Sequence, residues 1–184
     1  MQLLLPFLGE NILHTSSARV TTQYISNGLC SGGSMLLTAT QMIHSISTFS
    51  VNAAQKVFVK KANVVITTAA QVLTRPLTIQ IILLNKPEAN LPTCEDKVSP
   101  VNFALTETIL WLVNEWETTV STPDISSLIQ HAVDVDWYYG KEMSILFLIM
   151  DDHIDQNYNL QLNSLDLNIY YEDFEPSKYL NILF

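Results

Sequence analysis

Apolar and polar residues alternate in many short runs along this chain. In "PLTIQIILLN", Leu77, Ile79, Ile81 and Leu83 fall on one side of an extended segment, with Pro76 at its start, where a missing N–H is tolerated. In "YNLQLNSLDLNIYYEDF", Tyr158, Leu160 and Leu162 alternate, and Leu165, Leu167, Ile169 and Tyr171 then alternate on the other parity. The change at Asn163–Ser164 predicts a bulge or a tight turn. "EMSILFLIM" is apolar almost throughout and predicts a strand buried on both faces. "GSMLLTA", "ISTFSV" and "AVDVDWYYG" each predict a strand, and "KVFVKKANVVIT" predicts two short strands about a polar turn at residues 60–63. One or two helices are predicted at "ALTETILWLVNEWE" and "PDISSLIQHA", the second opened by a Pro123–Asp124 start signal. Many short strands with frequent turn signals predict a mainly-β protein: an antiparallel, jelly-roll-like β-sandwich with one or two short helices.

One segment supports a competing reading. Leu36, Ala39, Ile43, Ile46, Ser50, Ala53 and Val57 recur at spacings of three and four. Gly32 and Gly33 would precede that helix, Ser34 would cap it and Pro76 would end it. The alternative is therefore an α+β protein with a long helix in its N-terminal half. Against it, the segment is crowded with Ser, Thr, Val and Ile, which lose side-chain freedom in a helix or compete for its backbone bonds. It also has no charge between Val20 and Gln55, so a solvated helix there would lack i,i+4 ion pairs. The strand reading is the stronger one.

The 184 residues predict a single domain, with a loop at 85–100 that holds three prolines and an apolar tail at 176–184. Charged residues make up only 15% of the chain, so its surface depends on Ser, Thr, Asn and Gln for polarity. The uncharged 20–55 stretch is accordingly expected to be covered or to face a partner. Residues 1–94 hold six bases and two acids, and residues 95–184 hold three bases and sixteen acids. An acidic chain without a basic stripe predicts neither a nucleic-acid nor a membrane partner. The expected arrangement is that the two halves interleave and the charge poles vanish. Cys30 and Cys94 have no metal spacing and read as buried thiols in a reducing, cytoplasmic compartment, with a single bridge as the alternative. No secretory pattern stands out in "MQLLLPFLGE", which lacks a basic start and is broken by Pro6.

The order "CSGGSMLLTA", "FSVNAAQKVFV", "PLTIQIILL", "YNLQLNSLDLNIYYED" resembles a jelly-roll carbohydrate-binding-type module. More narrowly, it resembles the accessory β-sandwich of endo-β-N-acetylglucosaminidases. The matching positions are Gly32, Gly33, Ser34, Leu36 and Leu37, then Leu162, Leu165, Leu167 and Ile169. In that family catalysis belongs to a separate barrel, which a chain of this length has no room for, since such barrels run to about 250 residues. Asn114, Glu115 and Glu117 in "VNEWE" therefore carry over no catalytic role. The resemblance implies a binding or scaffolding module and no catalytic residues.

Three functions follow as expectations. The first is a non-catalytic module that binds carbohydrate or a neighbouring protein domain through Trp137, Tyr138 and Tyr139, whose rings suit both sugar stacking and interface anchoring. The second is a structural assembly subunit of a viral or other particle, a homo-oligomer that uses the uncharged 20–55 segment and the apolar C-terminus as interfaces. The third is a small metal-dependent enzyme. It rests on Asp151, Asp152 and Asp155, beside His153, which follow an apolar run and offer oxygen ligands to a hard cation such as a structural Ca2+. Their plain alternative is a solvated hairpin loop, and no cofactor is otherwise expected. "GLCSGGS" matches neither a nucleophile elbow nor a phosphate loop, and its glycines read as a turn.

Overall fold

The computed structural model describes residues 11–25, 35–38, 43–51, 57–73, 75–84, 104–134, 142–150 and 159–172. Among them are nine strands and one helix: β1 (Asn11–Ile25), β2 (Met35–Thr38), β3 (Ile43–Ser50), β4 (Phe58–Thr68), β5 (Leu77–Leu84), β6 (Ala104–Val113), β7 (Thr119–Ser121), α1 (Ser126–Asp134), β8 (Glu142–Ile149) and β9 (Asn159–Glu172). The strands form one curled, antiparallel sheet in the order β6-β5-β8-β3-β1-β9-β4-β7, with β2 beside β3 and β9. The mainly-β, sandwich-like expectation is thus the fold observed. The competing long helix is not formed, and β2, β3 and β4 occupy that span instead. Its β-branched and hydroxyl side chains suit a pleated surface better than a helical one.

β1 turns the sheet over on itself. Asn11–Ser17 pair with β9, and Ala18–Ile25 pair with β3. The register shifts between Ala18 and Val20, so Arg19 is an extra residue at the point where the strand changes partner. A bulge bends its strand, and such bends make the corners of sandwiches. The two halves of the sheet then share one core. It includes Phe49 of β3, Leu77, Ile79, Ile81 and Leu83 of β5, and Ile145 and Phe147 of β8. The opposite half contributes Ala62, Val64 and Ile66 of β4, with Leu160, Leu162, Leu165, Leu167 and Ile169 of β9.

Bulges also explain two features of the sequence. In β9, Ser164 pairs with Thr67 and Leu162 with Thr68, so Asn163 is the unpaired extra residue. Leu162 and Leu165 therefore both face the core although three residues apart. In β4, Val59 pairs with Tyr171 and Lys61 with Tyr170, which leaves Lys60 as the extra residue. The polar turn expected at 60–63 is absent for this reason. Lys60 and Lys61 both lie outward on one continuous strand, because a bulge lets two neighbours share a face.

Two further expectations are corrected. "ALTETILWLVNEWE" is not a helix: its first ten residues are strand β6, paired along its length with β5. Tertiary pairing with an apolar neighbour outweighs the helical spacing. The strand read for "AVDVDWYYG" is also altered, since Ala132–Asp134 end α1. The helix at "PDISSLIQHA" is present, and it buries Leu128, Ile129, Ala132 and Val133. The uncharged stretch is covered where its burial is described, with Ser45, Ile46, Ser47, Thr48 and Phe49 at 0–1% exposure in β3. The halves of the chain interleave, as β4 beside β9 and β5 beside β8 show.

Candidate functional site

The two ends of the strand order differ sharply. At the β7 end, the edge of β4 is closed by residues 119–130. β7 pairs with Val65–Thr67. Beyond it, the Val64 N–H donates to Thr122 Oγ1 at 2.9 Å, and the Thr122 N–H donates back to the Val64 carbonyl at 3.0 Å. Asp124 Oδ1 accepts from the Ala62 N–H at 3.0 Å and from the Ser126 N–H at 2.9 Å, so one carboxylate caps α1 and satisfies the strand. Gln130 finishes the seal: its Oε1 accepts from the Val59 N–H at 2.7 Å, and its Nε2 donates to the Val57 carbonyl at 3.1 Å. Partial burial pushes the Asp124 carboxyl up, but the hydrogen bonds from Ala62 and Ser126, with Lys61 nearby, outweigh it and hold the group below the ordinary value.

At the other end lies β6, whose outer edge has no strand partner among the described residues. Its side chains alternate. Trp111 and Val113 face the core, while Leu110 and Leu112 face outward at 63% and 59% exposure. Met150, just past β8, is 47% exposed, and its N–H donates to the carbonyl of Thr78, the residue paired with Leu112. Behind these residues, the same outward face of β3, β8 and β5 carries a second apolar cluster: Ile46, Ile82, Leu84, Leu146 and Leu148. Thr48 and Ser144 hydrogen-bond to each other at 2.9 Å on that face.

β6 runs into a turn built around two tryptophans. Trp116 is buried, its Nε1–H donates to Thr68 Oγ1 at 3.0 Å, and its ring centroid lies 6.0 Å from that of Trp111. The Gln71 N–H donates to the Trp116 carbonyl at 2.8 Å and ties the turn to the 69–76 loop. Two open grooves flank the turn. One, of about 440 Å³, is lined by Leu112, Asn114, Glu115 and Glu117 among others. The second, of about 500 Å³, shares Asn114, Glu115 and Glu117 and adds Val72 and Leu73. Glu115 and Glu117 are exposed, so the site is an apolar strip with an acidic rim.

Trp137, Tyr138 and Tyr139 lie outside the described residues, as do Asp151, Asp152 and Asp155, both cysteines, the 85–100 loop and the 176–184 tail. Among the described residues, no group of three or more His, Cys, Asp or Glu side chains is placed to hold a metal ion. No described helix is long and apolar enough to cross a membrane. His14 is half-buried with Nε2 3.4 Å from the Ser50 carbonyl oxygen, and Asp134 accepts from Gln130 Nε2 at 3.0 Å. Leu110 and Leu112 escaped sequence reasoning because a helix was read there. The signal that could have found them is the β-branched and aromatic content of "TETILWLV".

No protein-family model and no curated protein matches the chain. Among solved structures, the chain is similar to one from the cryo-EM structure of Mud crab tombus-like virus. The identity is 11% and the TM-score 0.33, over 100% of this chain and 94% of that one.

Proposed function

We propose that this protein is a non-catalytic building block that works by protein–protein assembly, with the β6 edge as a contact surface. The observation that carries the reading is the outward exposure of Leu110 and Leu112 on β6, the edge strand among the described residues, with Met150 exposed beyond the end of β8. Natural sheet edges are normally shortened, charged or covered, as the β4 edge is here. An edge that instead shows two exposed leucines is suited to a partner. Burying each leucine contributes about 1.5–3 kcal/mol, enough for two or three side chains to decide an equilibrium. The open grooves fit this role as well, since they are shallow features rimmed by glutamates and not an enclosed reaction chamber.

Sedimentation velocity of the purified chain over roughly 1–100 μM tests the reading, a range matched to modest affinities. The expected result is concentration-dependent association. Leu110→Lys with Leu112→Lys should return the protein to monomer and leave its melting temperature unchanged. A wild-type chain that stays monomeric across the whole range would overturn the proposal.

A further inference from the structure

The β6 surface suits some partners and rejects others. Residues 104–121 include Glu107, Glu115 and Glu117 and no base. Pairing β6 with β6 of a second copy would bring six glutamates together, and like charges facing across strands are destabilising. The opposite half of the sheet shows a different outward patch. Leu13, Phe58 and Tyr170 are 54%, 61% and 39% exposed there. Tyr170 pairs in register with Leu13 on one side and Lys61 on the other, and Phe58 sits in the next row opposite Glu172. Lys60 forms an ion pair with Glu172, and Asp124 near Lys61 is bonded to the Ala62 and Ser126 amides. The patch is therefore apolar, with the Lys60 charge paired to Glu172 and the exposed Lys61 cation among its side chains. It complements the acidic rim of the β6 strip, whereas a second β6 strip does not.

We propose that Phe58 and Lys61 of one copy dock on Leu110, Leu112 and the Asn114–Glu117 groove of the next. This inference rests on the assembly reading above and names the partner: a second copy of this chain, presenting its other face. The groove beside Leu112, at about 440 Å³, has room for the Phe58 ring. Glu115 and Glu117 on its rim are placed to meet the Lys61 ammonium. Because the two surfaces are different, the contact is head-to-tail. A docked pair keeps one free surface of each kind, so copies close into a ring or continue as a chain.

A charge-swap series in sedimentation velocity, on the full chain, tests this. Lys61→Glu alone, and Glu115→Lys with Glu117→Lys, should each weaken association about 10-fold, while the three together should recover it to within about 3-fold of wild type. Phe58→Ser, which alters no charge, should also weaken association about 10-fold with an unchanged melting temperature. Suppose instead that wild-type chains associate and Leu110→Lys releases them, but Lys61→Glu and Phe58→Ser change nothing. The head-to-tail contact is then overturned and the β6 assembly reading survives. The contact is equally overturned if both charge variants weaken association and the combination does not recover it. Monomeric wild-type protein at every concentration overturns the contact and the assembly reading together.

Discussion

On the β1–β9–β4–β7 side of the sandwich, the outward face is tied together by polar side chains. Thr15 donates to Asn168 at 2.8 Å, Ser17 donates to Asp166 at 2.5 Å, and Asn63 donates to Ser121 at 2.6 Å. Lys60 and Glu172 add an ion pair. On the β3–β8–β5–β6 side, the outward face instead holds Ile46, Ile82, Leu84, Leu146 and Leu148, all at 8% exposure or less, and ends at the exposed Leu110 and Leu112. Apart from the exposed Leu13, Phe58 and Tyr170, the first face is finished by hydrogen bonds in water, and the second is finished by burial. The difference teaches where stability and association reside. Exposed polar pairs contribute little each, because water competes for their partners. Apolar surface gains only when something covers it.

Mutations can break this comparison in a graded way. The largest effect is expected on the apolar face: Leu146→Ala should cost about 2–4 kcal/mol, close to the loss from Leu167→Ala in the main core, measured by urea denaturation. A loss below about 0.5 kcal/mol would mean that the outward face is not a second core. Next comes the sealed edge. Asp124→Ala should cost about 1–2 kcal/mol through the lost cap and the unpaired Ala62 amide. The pH dependence of that step has a definite sign. The folded carboxyl sits below its ordinary value, so its stabilisation is present above the unfolded pKa and fades as pH falls through the folded one. The gap in melting temperature between wild type and Asp124→Asn should therefore narrow below about pH 4. On the polar face, Asn63→Ala should cost no more than about 0.5 kcal/mol. The smallest change is expected from Ser45→Ala. The buried Ser45 hydroxyl has no hydrogen-bond partner among the described residues, so its removal should be neutral or stabilising by up to about 1 kcal/mol in thermal melts.

Much of the fold was legible because burial leaves a periodic trace. β5, β8 and β9 follow the alternation or the apolar run that their neighbours impose, and even the parity change at Asn163–Ser164 proved to be a bulge. β6 was misread, since "ALTETILWLVNEWE" satisfies helical and extended spacing at once, and only its pairing with β5 separates them. Lys60–Lys61 misled in the opposite sense: two adjacent lysines look like a turn when the bulge that admits them cannot be seen. The candidate site was hidden by the first of these errors. Leu110 and Leu112 look like core residues in the sequence, and they are surface residues on β6, the last strand of the sheet among the described residues.

What the residue pattern alone determined is the class of structure. Period-two alternation, β-branched and hydroxyl-rich segments and a single helix start at Pro123–Asp124 are local properties, set by side-chain geometry and backbone preference. Strand order, the partner exchange of β1 at Arg19, the closure of the β4 edge by Asp124 and Gln130, and the exposure of β6 were decided by tertiary structure alone. Those features depend on contacts between residues far apart in the chain, and an edge strand and a central strand can share the same local pattern. The difference between them is whether another strand lies alongside.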